Sequence, residues 1–83
     1  SAKKSKEVKK LVGVIKENKK KEKEIEKGIE KLQVNKKKNK KEITNLKRKL
    51  TTHKKDVEKM EIAYENDDVE DAADFLRKFS KSK

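Results

Sequence analysis

The chain has 83 residues, of which 29% are apolar and 52% are charged, and its formal net charge at pH 7 is +11. This supply of apolar side chains is too small for a membrane span or for the core of an ordinary compact monomer. The chain contains no cysteine, which excludes a disulfide framework and a cysteine-ligated zinc site. We therefore expect the chain to complete its core by association with other helices.

Residues 1–7 are a basic N-terminal extension. They contain neither an initiator methionine nor the apolar stretch of a secretory signal. These features predict a fragment of a larger intracellular protein, in the nucleus or the cytoplasm.

Residues 8–64 carry a heptad repeat with Val8 at position a and Leu11 at position d. Twelve of the seventeen apolar residues in this stretch occupy a or d, where an indifferent arrangement would place about five. A strict repeat of 3.5 residues keeps a narrow stripe against a partner only if the helices supercoil left-handedly. The sequence therefore predicts an all-α fold, a two-stranded coiled coil and a rod of roughly 85 Å. The predicted oligomer core is Val8, Leu11, Ile15, Ile25, Ile29, Leu32, Ile43, Leu46, Leu50, Val57, Met60 and Tyr64.

Five further a and d positions are polar. We predict that they form polar core layers, which specify register and strand number at some cost in stability. A single histidine with no cysteine cannot complete a metal site within one chain, so no metal is expected. The polar core layers are Asn18, Glu22, Lys36, Asn39 and His53.

The heptad leaves the arrangement of the strands open. β-Branched residues at a with leucine at d favour a parallel dimer, whereas an antiparallel pairing would set Glu22 opposite His53 and Ile29 opposite Leu46. The same antiparallel contacts would arise within one chain if residues 35–39 formed a loop, giving a helical hairpin. The unbroken heptad phase and the absence of glycine and proline count against such a loop. Pairing with a different chain is a further alternative.

The register fails after Tyr64, and residues 65–83 form an acidic-to-basic segment and tail. Residues 66–68 are good helix N-caps, so the segment is either a short separate helix or a continuation of the rod in a shifted register. Its apolar face could dock in a groove of a partner protein or cap the same bundle by folding back. The candidate docking residues are Val69, Phe75, Leu76 and Phe79.

Basic charge is concentrated in residues 35–55, which sum to +9, whereas residues 56–74 sum to −8. On one continuous helix the basic residues would form a one-sided arc suited to phosphates. The arc is mostly lysine and the aromatic residues lie beyond it, so neither sequence readout nor base stacking is expected. The candidate phosphate-contacting residues are Lys16, Lys20, Lys23, Lys27, Lys37, Lys41, Arg48 and Lys55.

These patterns predict a coiled-coil oligomerisation and scaffolding segment rather than an enzyme. No nucleophile stands near a base, and a thin rod offers no concave site, so no cofactor or small-molecule substrate is expected. The expected partners are a second copy of the chain and other coiled-coil or groove-bearing proteins; no membrane partner is expected. The alternative is a helical hairpin or dimer that binds nucleic acid non-specifically through the basic arc.

Overall fold

The computed structural model describes residues 4–79, which form three α-helices. α1 spans Lys6–Leu32, α2 spans Lys40–Glu65 and α3 spans Val69–Phe79, and a 3-10 helix at Gln33–Asn35 follows α1. The described part of the chain contains no strand, so the predicted all-α class is confirmed. None of its helices combines the length and the apolar character needed to cross a bilayer.

α1 and α2 lie antiparallel and form a hairpin, which corrects the expectation of one helix through residues 8–64. The helix ends at Leu32 and resumes at Lys40. Closing a short loop costs less entropy than bringing two chains together, so one chain can cover its own apolar stripe. The described residues measure 51 × 29 × 15 Å, well short of the expected rod. We call residues 33–39 the tip and the opposite end the base.

The tightest core lies at the base, where α3 folds back over both other helices. Val8 and Leu11 of α1, Met60 and Ala63 of α2 and Ala72 of α3 form one buried cluster. Alanine on α2 and α3 leaves room for the helix backbones to approach closely. Of the two alternatives for the residues after 64, the structure has the separate short helix.

A helix-ending turn separates α2 from α3. Asp67 has φ 50°, and the main-chain N–H groups of Asp67 and Asp68 donate to the carbonyls of Tyr64 at 3.2 Å and Ala63 at 2.9 Å. This is a Schellman motif, which satisfies the last carbonyls of a helix. The Asp68 carboxylate then accepts the N–H of Asp71 at 3.0 Å and caps the start of α3. Consecutive acidic residues thus end one helix and begin the next.

Candidate functional site

The heptad positions lie on the faces that are covered within one chain. All twelve residues predicted for the oligomer core are buried or half-buried. Of the apolar residues outside positions a and d, Val34 is 90% and Ile62 55% exposed, whereas Ala63 is buried. The role of the twelve core residues in pairing separate chains stays a prediction. Buried are Val8, Leu11, Ile29, Ile43, Val57 and Met60, and half-buried are Ile15, Ile25, Leu32, Leu46, Leu50 and Tyr64.

Asn18 and His53 form a polar layer between α1 and α2. His53 Nε2 lies 2.8 Å from the main-chain carbonyl oxygen of Asn18, and because a carbonyl only accepts, Nε2 is the donor. Asn18 is 2% exposed, and its Nδ2 donates to the Val14 carbonyl at 2.7 Å. His53 therefore faces Asn18 rather than Glu22, so the register differs from the predicted antiparallel one. The midpoint of the pairing lies nearer the N-terminus because the chain turns at residues 33–39.

The other polar core positions have different environments. Asn39 Nδ2 donates to the Leu32 carbonyl at 2.9 Å and so closes the tip across the end of α1. Glu22 is half-buried in α1. Lys36 is exposed in the tip, where no helix faces it within the chain, so its assignment to a core layer stays a prediction.

Two exposed ion pairs link α1 to α2 beside the apolar seam. Lys19 Nζ lies 2.7 Å from Glu61 Oε2, and Lys54 Nζ lies 3.4 Å from Glu26 Oε2. The Glu61 carboxylate raises the pKa of Lys19 by hydrogen bonding and by charge. Lys19 of α1 and Lys54 of α2 thus each contact a carboxylate of the other helix. Exposed pairs of this kind contribute little to stability.

Basic side chains converge at the tip on a shallow surface depression. Its lining comes from the turn and the first turns of α2 alone and includes no carboxylate. Thr44 and Arg48 also line the next depression along α2, with Lys47, Thr51 and Thr52, so the surface continues down the outer face of the helix. We call the residues of the first depression the tip surface: Lys37, Lys38, Lys40, Lys41, Thr44, Asn45 and Arg48.

The tip surface contains three of the eight predicted phosphate-contacting residues, namely Lys37, Lys41 and Arg48. The chain reversal separates these three from the predicted contacts on α1, so the single arc of a continuous helix does not form. Lys38 lies in the turn and Lys40 is the first residue of α2, and the sequence-based prediction named neither of them. The predicted contacts outside the tip surface are Lys16, Lys20, Lys23 and Lys27 on α1 and Lys55 on α2, and all five are exposed.

Acidic side chains cluster at the opposite end of the molecule. Glu70, Asp71 and Asp74 lie in α3, and Asp68 caps it. The neighbouring carboxylates, Asp68 first, raise the pKa of Asp71. Among the described residues, part of this charge is neutralised by Arg77, which pairs with Asp74. The hairpin is thus electrostatically polarised, positive at the tip and negative at the base.

A network at the base, which the sequence did not predict, ties the start of α1 to the end of α2. The Asp67 carboxylate accepts the Ser5 N–H at 2.8 Å and the Ser5 hydroxyl at 3.1 Å. Lys4 Nζ donates to the Tyr64 carbonyl at 2.6 Å and lies 4.7 Å from the centre of the Tyr64 ring. The hydrogen bond from the Ser5 main chain is the main cause that lowers the pKa of Asp67. We call Lys4, Ser5, Tyr64 and Asp67 the base clasp.

The candidate docking residues of α3 mostly face the hairpin. Phe75 and Phe79 pack against the base core and stack on each other, with ring centres 6.3 Å apart. Leu76 is half-buried, and Val69 is 41% exposed. The apolar face of α3 therefore mostly covers its own bundle, and its role in docking a partner stays a prediction.

The comparisons with known proteins gave no match. No protein-family model, no curated protein and no solved structure is significantly similar to this chain.

Proposed function

We propose that this protein binds nucleic acid without reading its sequence, through phosphate contacts made by the tip surface. The observation that carries the proposal is the convergence of four lysines and Arg48 on one shallow depression without a carboxylate. Within residues 4–79, no ion pair uses any of these five cations. They are therefore available for external anions, and each phosphate they neutralise would release counterions.

The composition of the tip surface favours phosphate over base contacts. Lysine presents a point charge to an anion, and Arg48 adds one planar fork that suits a phosphate. The Thr44 hydroxyl donates to the Lys40 carbonyl at 3.0 Å, so its proton is used within the helix. The aromatic residues that would stack on bases, Tyr64 and Phe79 among them, pack at the base. Binding through such a surface depends on charge and geometry rather than on base sequence.

The charge distribution of the hairpin favours binding of a polyanion at the tip. Residues 56–74 carry −8 and lie at or near the base, whereas residues 35–55 carry +9, with Glu42 as their only acid. A polyanion is repelled by the first segment and attracted by the second, and this steering acts over a Debye length of about 10 Å at 0.1 M salt. The tip surface therefore meets the phosphate backbone first.

A salt series on a short duplex tests the proposal. Five phosphate contacts give a slope of log affinity against log salt near −4.5, so the affinity should fall about 500-fold between 50 and 200 mM salt. The absence of binding at low salt would remove the proposal.

A matched pair of triple variants separates a local surface from net charge. Lys37→Gln, Lys41→Gln and Arg48→Gln remove three cations at the tip, and Lys9→Gln, Lys10→Gln and Lys59→Gln remove three exposed cations elsewhere. We expect the tip variant to make the salt slope less steep by about 3 and to weaken binding more than its control does. Equal losses in both variants would show that net charge alone attracts the nucleic acid.

The second candidate function is oligomerisation and scaffolding through a two-stranded left-handed coiled coil between copies. One observation favours it: α3 packs at the base, and toward the tip Ile25, Leu46 and Leu50 remain half-buried. Ile25, Leu46 and Phe79 line an open groove there together with Gly28. Apolar side chains that remain partly exposed to solvent favour further helix packing. A molar mass of one chain at every concentration, measured by light scattering, would remove this candidate.

A further inference from the structure

The tip has a backbone and a composition close to those of a helix. Leu32, Gln33 and Lys36 have φ and ψ of −71° and −23°, −71° and −14°, and −58° and −41°, all right-handed helical values. Asn39, the last residue of the tip, departs from them with −99° and 11°. The Asn39 N–H donates to the Asn35 carbonyl at 3.0 Å, which is the spacing of an α-helix. Asp67 is the only residue with positive φ in residues 4–79, so the tip has none. Straightening the tip therefore requires a change at Asn39, and no residue of the tip has to leave a positive φ.

The heptad phase runs through the tip without interruption. Lys36 occupies the a position and Asn39 the d position that continue the count from Leu32. A loop gives no physical reason to keep this phase, because helices on either side of a flexible turn can rotate independently. If the tip became helical, the apolar stripes of α1 and α2 would join in one phase, with Lys36 and Asn39 as polar positions between them.

We infer that the hairpin opens at residues 33–39 and that two chains pair antiparallel, each α1 against the α2 of the other chain. This inference rests on the helix-pairing function proposed above and names its partner, a second copy that exchanges helices. The contact of His53 with Asn18 and the pairing of Lys54 with Glu26 are kept, now between chains. Exchange of identical elements is an inexpensive route to a dimer because no new surface has to be built.

The exchange replaces few contacts. The open form loses the bond from Asn39 Nδ2 to the Leu32 carbonyl, and it gains main-chain helix bonds through the tip. The base clasp and the packing of Ala72 re-form at each end of the dimer, with α1 supplied by the other chain. The contacts between α1 and α2 are therefore the same in both forms. The two forms differ in the conformation of the tip.

Charge repulsion at the tip opposes the exchanged dimer. Residues 35 and 36 lie midway along the sequence between Asn18 and His53, so the two-fold axis passes beside Lys36. The lysines at 36, 37, 38, 40 and 41 of both chains would then surround the axis. Salt screens such repulsion, with a Debye length of about 10 Å at 0.1 M and 3 Å at 1 M. The exchanged dimer should therefore become more populated as salt rises.

One doubly labelled chain reports the exchange. Lys20→Cys and Thr52→Cys place dyes at exposed sites of α1 and α2, and the chain has no other cysteine. In the hairpin the dyes lie on neighbouring helices, whereas in a continuous helix they are about 48 Å apart along the axis. A trace of labelled chain in excess unlabelled chain should lose energy transfer as light scattering shows the mass double, and more so at 1 M NaCl.

Two variants at one residue provide the matched control. Asn35→Ala and Asn35→Gly leave the charge unchanged at an exposed position. Alanine favours helix over glycine at each of the two tips in a dimer, so the dimerisation constant should be about 30-fold greater for Asn35→Ala. A dimer that retains energy transfer would overturn the exchange and leave helix pairing standing. A mass of one chain at every salt and protein concentration would overturn both.

Discussion

Asp67 is the residue on which the base depends most directly. Its left-handed backbone ends α2, and its carboxylate accepts the Ser5 N–H and hydroxyl at the start of α1. Asparagine is also tolerated at positive φ but cannot carry charge, so Asp67→Asn removes the anion with little backbone strain. The substitution therefore isolates the electrostatic part of the clasp.

We predict that the stabilisation lost in Asp67→Asn depends on pH. The fold lowers the pKa of Asp67, so the folded chain binds this proton more weakly than the unfolded chain. The contribution is fully present above about pH 4, the ordinary pKa of the group, and it disappears as pH falls through the lowered pKa. Urea unfolding at pH 7 and pH 2 should show a deficit in the variant only at pH 7.

Asp71→Asn supplies a control of opposite sign. Neighbouring carboxylates raise the pKa of Asp71, so its ionisation opposes folding. At pH 7 this variant should be more stable than the wild type, and the difference should vanish at low pH. An equal loss of stability in Asp67→Asn at both pH values would show that the shape of the side chain, not its charge, stabilises the base clasp.

At the scale of the helices, α1 contains two glycines that no turn requires. A Cβ built at Gly13 meets nothing within 4 Å, and one built at Gly28 lies 3.7 Å from Leu46 Cδ1, an ordinary contact. We predict that Gly13→Ala and Gly28→Ala each raise the free energy of unfolding by about 1 kcal/mol, because glycine lowers helix stability by that amount. Urea unfolding measures both values.

Gly28→Ala also tests the spacing of α1 and α2. A loss of stability in this variant, beside a gain in Gly13→Ala, would mean that the helices approach more closely at Gly28 than the structure shows. A gain of stability in both variants would confirm the spacing of α1 and α2.

The core at the base should contribute more to stability than the seam near the tip. Met60 is fully buried beneath α3, whereas Leu46 is half-buried beside the open groove. We predict that Met60→Ala lowers the free energy of unfolding by about 2–4 kcal/mol and that Leu46→Ala lowers it by about half as much. Circular dichroism during urea unfolding measures both changes. The reverse order would place the stable core at the tip.

The sequence predicted the helices and their covered faces better than it predicted their arrangement. The apolar residues of the heptad repeat are covered in the structure because an apolar stripe is driven out of water, whether its partner is the same chain or another. From sequence the chain reversal is only an alternative, since residues 35–39 keep the heptad phase and contain no glycine or proline. The sequence predicts part of the tip surface and leaves out Lys38, which joins it through the turn. The base clasp depends on residues far apart in sequence, which no local pattern connects.

At the scale of the whole molecule, the net charge of +11 opposes the compact state and the ion pairs between helices favour it. The exposed pairs Lys19–Glu61 and Lys54–Glu26 contribute little to stability, and salt weakens them. Salt also screens the repulsion among the tip cations, which have no carboxylate in their depression. Because the repulsions outnumber the pairs, we predict that NaCl raises the thermal midpoint of the protein.

The two triple-glutamine variants test where this salt-dependent repulsion arises. Removing Lys37, Lys41 and Arg48 should reduce the rise of the midpoint between low and high NaCl more than removing Lys9, Lys10 and Lys59, although both lower the net charge equally. NaCl is preferable to sulfate, which also strengthens apolar burial. A midpoint that falls with NaCl in the wild type would mean that the ion pairs prevail. A rise that only the tip variant abolishes would mean that the cations available for phosphate are also those that destabilise the unbound hairpin.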